Sequence, residues 1–330
     1  MFAAVRSLGT PRRLVLEVTG LGATQRNPAE EIRGPSKQAS YDGAGKPTPA
    51  LLGFLKSRGG TLAQTKLVDS EKGAYIYLIK PPKDVPTAHV LPLLLPQLIS
   101  ALRAPKTMRW DATGVRFARP IRWLLALYGE RPMACAFGRL TSRPSTWVGG
   151  PKRPRAVAVG SIEQYHRALK TAGIILDQVE RRRRIEQLVA QVAAKSHGTT
   201  APEMASHGLL DEVTYLVEQP VPLVGAFDPR YLDLPREVLL ASMAKYQRVF
   251  AVESKGRILP QFVAILDGAP AQAAGVRTVC ERILNARLSD GLMFVKEDRS
   301  HLPLERMAHA LAGVTFHEQL GSMAYKTLRL

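Results

Sequence analysis

Lys245, Gln247 and Arg248 crowd the end of one short segment, an inventory that donates hydrogen bonds and contains no nucleophile or base. Such a set suits holding phosphate or a polar ligand better than breaking a bond. Leu234-Pro235 opens a helix on which Val238, Leu239 and Ser242-Met243 recur at helical spacing, and the three polar residues fall where that helix gives way to a strand from Val249 to Val252. A second cluster interleaves cations with rings: Lys106, Arg109-Trp110, Arg116-Phe117, Arg119 and Arg122-Trp123. Guanidiniums beside planar side chains suit gripping phosphates and stacking on bases. Alternation from Ile121 allows a second reading, in which Trp123 turns to the core and Arg122 alone is exposed.

Other motifs fail on spacing. Gly20-Leu-Gly22 follows a strand, yet Gln25 stands at the third glycine position and Asn27-Pro28 forbids the helix that would receive a pyrophosphate. In Gly43-Ala-Gly45-Lys46-Pro47-Thr48, Pro47 separates lysine from threonine and Ser40 replaces the first glycine, so a turn before a Thr48 cap is expected. The seven histidines show no HExxH and no zinc spacing with cysteine. Asp298 with His301, and His317 with Glu318, read as polar surface on terminal helices rather than as acid-base pairs. Ser242 lacks a neighbouring histidine or a GxSxG elbow. Catalytic and metal sites are therefore expected to be absent from this chain.

The chain of 330 residues carries 46 Lys+Arg against 28 Asp+Glu, a formal charge of +18. That excess favours a polyanionic partner, nucleic acid first, because each cation seated on phosphate releases counterions. A hydrophobic content of 45% fits a globular chain with about two domains. Cys135 and Cys280 lie far apart among apolar neighbours, which points to buried thiols, a reducing compartment and the cytoplasm. No run approaches the about 20 apolar residues that span a bilayer, and the longest, Val90 to Leu98, is interrupted by Pro92 and Pro96. A strand almost at the start and a helix being entered after Leu320 fit truncation at one or both ends.

Strands are expected over Arg13 to Val18 and Ala74 to Ile79, with a helix between them capped by Thr48 and presenting Leu51, Leu52 and Leu55 on one face. Ile121 to Tyr128 and Met133 to Phe137 read as a hairpin, and Thr141 to Arg155 as a basic loop at a domain boundary. Ser161 and Asp177 cap two helices. The second carries Arg181 to Arg184 over a full turn, either facing RNA or forming a solvated surface with Ile185, Leu188, Val189 and Val192 inward. A helix over Leu209 to Glu218, a strand over Val221 to Phe227 and a hairpin around Ser254 to Arg257 follow. The expected class is α+β, with regions 1–150, 151–270 and a mainly helical 271–330.

Several separated motifs, taken together and in order, are more specific than any one of them. Pro105-Lys-Thr-Met-Arg-Trp110, Phe117-Ala-Arg-Pro-Ile-Arg-Trp123, Leu210-Asp-Glu-Val through Gln219-Pro-Val221, Leu234-Pro-Arg-Glu-Val-Leu, Ser242 through Phe250, and Leu284-Asn-Ala-Arg-Leu-Ser-Asp290 through Asp298 carry the pattern. It closely resembles the beta subunit of bacterial heterotetrameric glycyl-tRNA synthetase over nearly the whole chain. The resemblance implies an α2β2 enzyme that joins glycine to tRNA using ATP. ATP and Mg belong to the alpha subunit, no cofactor is bound by this chain, and the beta subunit contacts tRNA and the alpha subunit. It also implies continuation into an HD-like domain and a C-terminal anticodon-binding domain. Together with their charge, it makes Arg109, Arg119, Arg122, Lys245, Gln247 and Arg248 the expected tRNA contacts. The family's opening Gly-Thr-Glu-Glu-Leu-Pro is absent, its Gly-His-Arg-Phe is replaced by Ser145 to Pro151, and Tyr246 stands where histidine is common. Those departures keep a second reading open, a free-standing RNA-binding protein derived from that subunit.

Overall fold

Thr48 and Pro49 start a helix as their chemistry dictates: the Thr48 hydroxyl accepts from the Leu51 amide at 3.4 Å and Pro49 occupies the first helical position. In the computed structural model, which describes residues 2–70, 73–150, 154–300 and 304–330, this Pro49–Arg58 helix covers a three-stranded antiparallel sheet. The sheet order is Glu30–Ser36, Gly73–Lys80, Thr65–Ser70. Ile76 and Leu78, two residues apart on one face of the central strand, meet Leu51 and Leu55. Leu52, expected beside them, is 47% exposed, because the residue next after Leu51 is rotated about 100° from it and off the buried stripe. The fold is α+β.

The chain divides into two units, and this sheet lies in the first: 1–6, 17–147 and 156–166. The same unit holds the Thr87–Ala101 helix, which retains Pro92 and Pro96 and exposes Leu93, Leu94 and Leu98. No helix among the described residues is long and apolar enough to cross a membrane. Beyond it come pairs of two-residue strands: Met108–Arg109 with Arg116–Phe117, Leu127–Tyr128 with Arg131–Pro132, and Ala136–Phe137 with Leu140–Thr141. The expected hairpin is thus shorter than its sequence pattern, although its turn falls at Gly129, with φ 59°. The Met133 amide still donates to the Ala126 carbonyl at 2.9 Å, but from Cys135 onward the chain bonds to Ser142 instead, which ends the pairing. The expected 141–155 loop also contains a strand, Ser145–Val148, paired with Arg155–Ala158; Pro151 lies outside the described residues.

The second unit comprises 7–16, 148–155 and 167–330. Its antiparallel sheet runs Thr199–Thr200, Phe250–Ser254, Arg257–Asp267, Pro220–Ala226, and its hairpin turn places Lys255 and Gly256 at φ 50° and 75°. The Gln178–Lys195 helix, capped by Asp177, and the Ala273–Ser300 helix pack Ile185, Val189, Leu284 and Leu288 into one continuous core with Phe262 and Met243. Gly225 is needed there, since a Cβ at that position would stand 2.2 Å from the Phe262 ring. The last part remains mainly helical, with Leu304–Ala310 and Met323–Leu328 following Ala273–Ser300.

Arg181 resolves the arginine turn differently from either reading. It is fully buried, donating to the carbonyls of Thr214 (2.7 Å), Ile175 (2.7 Å), Leu176 (3.1 Å) and Gly9 (2.6 Å). Burial pulls its pKa down. Arg182 pairs with Asp211 at 2.8 Å, while Arg183 and Arg184 are exposed. The same contact explains why the helix expected to reach Glu218 is only Leu209–Thr214. Arg181 takes the Thr214 carbonyl that the Glu218 amide would have used, and that amide donates to Asp267 at 2.8 Å. Glu218 is then free to turn inward, where Thr10, Arg12 and Arg13 hold its carboxylate.

Candidate functional site

The helix that begins at Arg236 is set by an ion-pair brace. Arg236 binds both oxygens of Glu203, at 2.8 and 2.9 Å, and reaches Glu253 at 2.6 Å. This fork holds the Glu203 carboxyl at a pKa of about 2, mainly through its hydrogen bonds, and raises that of Arg236. Sequence reasoning passed over the brace, whose members lie on three separate elements.

From Arg236–Ala241 the chain widens into a π-helix, Ser242–Gln247, and closes at Arg248, a non-glycine residue at φ 54°. Its position follows the expected change from helix to strand; the π geometry was not legible in residue types. Buried Met243 and Ala244 anchor the segment inward, and the Val249 amide returns to the Met243 carbonyl at 3.0 Å. Lys245 and Tyr246 are consequently exposed, Tyr246 at 55%. The Arg248 guanidinium is engaged by Glu212, and Arg287, from the Ala273–Ser300 helix, lies over the Tyr246 ring at 5.4 Å. Single-turn π segments and left-handed non-glycine residues concentrate at functional sites.

Beside the junction is a cavity of about 260 Å³. Val213, Leu216, Phe262 and Ile283 give it apolar walls, while Gln247 and Arg248 contribute polar groups. Cys280 also lines it, and burial pushes its thiol pKa up, as it does that of Cys135. Cys280, Ile283, Leu284 and Arg287 share one helical stripe, a periodic signal by which Arg287 could have joined the candidate list.

Of the six candidate residues, Lys245, Gln247 and Arg248 come together at this junction. Arg109, Arg119 and Arg122 belong to the first unit, where all three are exposed. Trp123 is half-buried while Arg122 faces solvent, as the alternation reading had it, although no regular strand runs there. Arg109, Arg119, Arg122 and Lys245 have no acidic partner among the described residues, whereas Arg248 does. His301 of the Asp298 pair lies outside the described residues, and the His317 ring accepts from the Gln319 amide at 3.1 Å. No group of three or more potential metal ligands occurs among the described residues.

Fold and surface together define a basic α+β protein whose candidate site presents binding groups. The chain belongs to the glycyl-tRNA synthetase beta subunit family, whose model matches residues 1–330. It is 40% identical over 327 residues to the glycine–tRNA ligase beta subunit of Syntrophomonas wolfei, and 37% identical to those of Syntrophotalea carbinolica, over 329 residues, and Moorella thermoacetica, over 327. These matches cover 99% of this chain and 47%, 47% and 46% of the respective relatives. The chain thus spans about half the length of the curated relatives it matches.

Proposed function

We propose that this chain acts within a glycine–tRNA ligase as beta subunit, contributing tRNA and alpha-subunit contacts to ATP-dependent glycylation in a cytoplasmic α2β2 assembly. Its own residues hold RNA; ATP and Mg are handled by the alpha subunit. The observation that carries this reading is the family match along all 330 residues in a chain whose Arg109, Arg119, Arg122 and Lys245 are exposed without acidic partners among the described residues. Such cations gain most from phosphate, because they displace counterions without first breaking an ion pair.

The test mixes this chain with the alpha subunit of a glycine–tRNA ligase and follows co-elution, tRNA binding and glycylation. Co-elution with restored glycylation is the expected result. Absence of association at micromolar concentration, with tRNA binding retained, would replace it with a free-standing RNA-binding protein.

A further inference from the structure

The cavity at the junction has a combination of features that generic phosphate binding leaves unused. We propose that it receives one unstacked nucleobase of an RNA strand, with Gln247 hydrogen-bonding the base edge and Lys245 and Arg287 on the flanking phosphates. This deepens the RNA-binding reading above and rests on it.

At about 260 Å³ the cavity falls below the roughly 300–1,000 Å³ of clefts that enclose whole small-molecule ligands, a scale suited to one inserted planar group. Phe262, Ile283 and Val213 supply apolar surface for the faces of a ring. The Gln247 amide has both a donor and an acceptor, as the edge of a base requires. Two exposed tyrosines sit next in sequence to lining residues: Tyr215, 54% exposed, precedes Leu216, and Tyr246 precedes Gln247. Each offers a π face to the neighbouring bases of a single strand. Lys245 and Arg287 are exposed on the same junction, Arg287 already placed over the Tyr246 ring. An apolar side chain from a protein partner would fill the walls but leave the Gln247 amide and both cations without a counterpart. Charge complementarity therefore selects a polyanion.

The backbone favours a preformed site. Arg248 is held in its left-handed conformation between the buried Met243–Val249 hydrogen bond and its ion pair with Glu212, so Gln247 enters the cavity wall from a fixed position. A preformed wall limits the ordering lost on binding.

The test measures affinities of an adenosine RNA decamer and of a fully abasic decamer with the same phosphates. Ile283→Trp fills the cavity from a site 44% exposed, where the larger ring fits without repacking the core, and Gln247→Leu removes the edge contacts at similar volume. The wild-type chain is expected to bind the adenosine decamer at least about tenfold more tightly than the abasic one. Each variant should lose about tenfold of the adenosine affinity and none of the abasic affinity, as one stacked base contributes in single-strand binders. Thermal melts monitor folding, and if Ile283→Trp does not fold, Gln247→Leu decides. Unchanged adenosine affinity in the folded variants overturns the cavity assignment and leaves RNA binding intact. An equal loss for both decamers also overturns it, since that reports a phosphate track. Loss of alpha-subunit co-elution with RNA affinity retained assigns the cavity to a protein and overturns it too. Failure of the wild-type chain to bind any RNA sinks this proposal together with the reading beneath it.

Discussion

The two units solve the same problem, presenting cations, with very different supports. In the second unit Met243, Phe262, Leu284 and Leu288 belong to one continuous core, and Lys245 and Gln247 are two and four residues from the first of these. In the first unit the sheet cluster is Leu51, Leu55, Ile76 and Leu78, while Arg109 and Arg119 lie on or near strands of two residues. Short ladders and shallow burial leave local opening inexpensive, whereas a deep core makes it share the stability of the whole unit. The second unit is therefore suited to reading a defined shape, and the first to following a flexible or variable one.

The contrast is most open to attack at Arg181. Replacing it with methionine leaves four carbonyls without their donor and is expected to destabilise the second unit by about 3–5 kcal/mol, the range for breaking a buried charged network. Denaturant-dependent hydrogen exchange of the 250–266 strands measures it, and a loss below about 1 kcal/mol would break the picture of a polar keystone. Leu78→Ala in the first unit should cost about 2–5 kcal/mol. Its exchange signature should stay within the Thr65–Lys80 hairpin and the helix over it. Spread into the second unit would mean that the two do not differ as described. For RNA binding, Lys245→Ala should lower the slope of log affinity against log salt by about one, with Arg109→Ala doing the same from the other unit. An unchanged slope removes that residue from the phosphate contacts.

The smallest effect concerns pH. The Glu203 carboxyl has its pKa lowered from 4.5 to about 2 by Arg236, so the ion pair contributes fully above pH about 4.5 and is lost as pH falls through about 2. Glu203→Gln should lack that part of the acid dependence in a thermal-melt series from pH 5 to 2. An identical profile for both proteins would show that the brace does not couple to stability.

Much of this architecture was legible because local chemistry agrees with the tertiary result. Thr48-Pro49, Ser161 and Asp177 announced helix starts, and the glycine turn at Gly256 announced its hairpin, since caps and turns are satisfied by neighbours in sequence. Arg181 was misread because its carbonyl partners lie on Gly9, Ile175, Leu176 and Thr214, and no local pattern reports them. One clue was present: Arg181 is four residues before Ile185 and shares its buried face. The candidate site was half legible. Its donors stood out by type, while the cavity behind Gln247 depends on Phe262, Cys280 and Ile283 arriving from elsewhere in the chain.

The Glu218 cluster also sets a schedule. Thr10, Arg12 and Arg13 grasp a carboxylate more than 200 positions later in the chain. At about 5–20 residues added per second, the segment from Thr10 to Arg13 is made roughly 10–40 s before its counter-charge. Throughout that interval its two arginines are cations without their native acid, in the company of ribosomal RNA. The last strand of the second unit's sheet, Arg257–Asp267, completes this wait, because Asp267 both binds Arg12 and orients the Glu218 amide. Synthesis speed between residues 13 and 267 is thus a variable that Arg12 and Arg13 will feel.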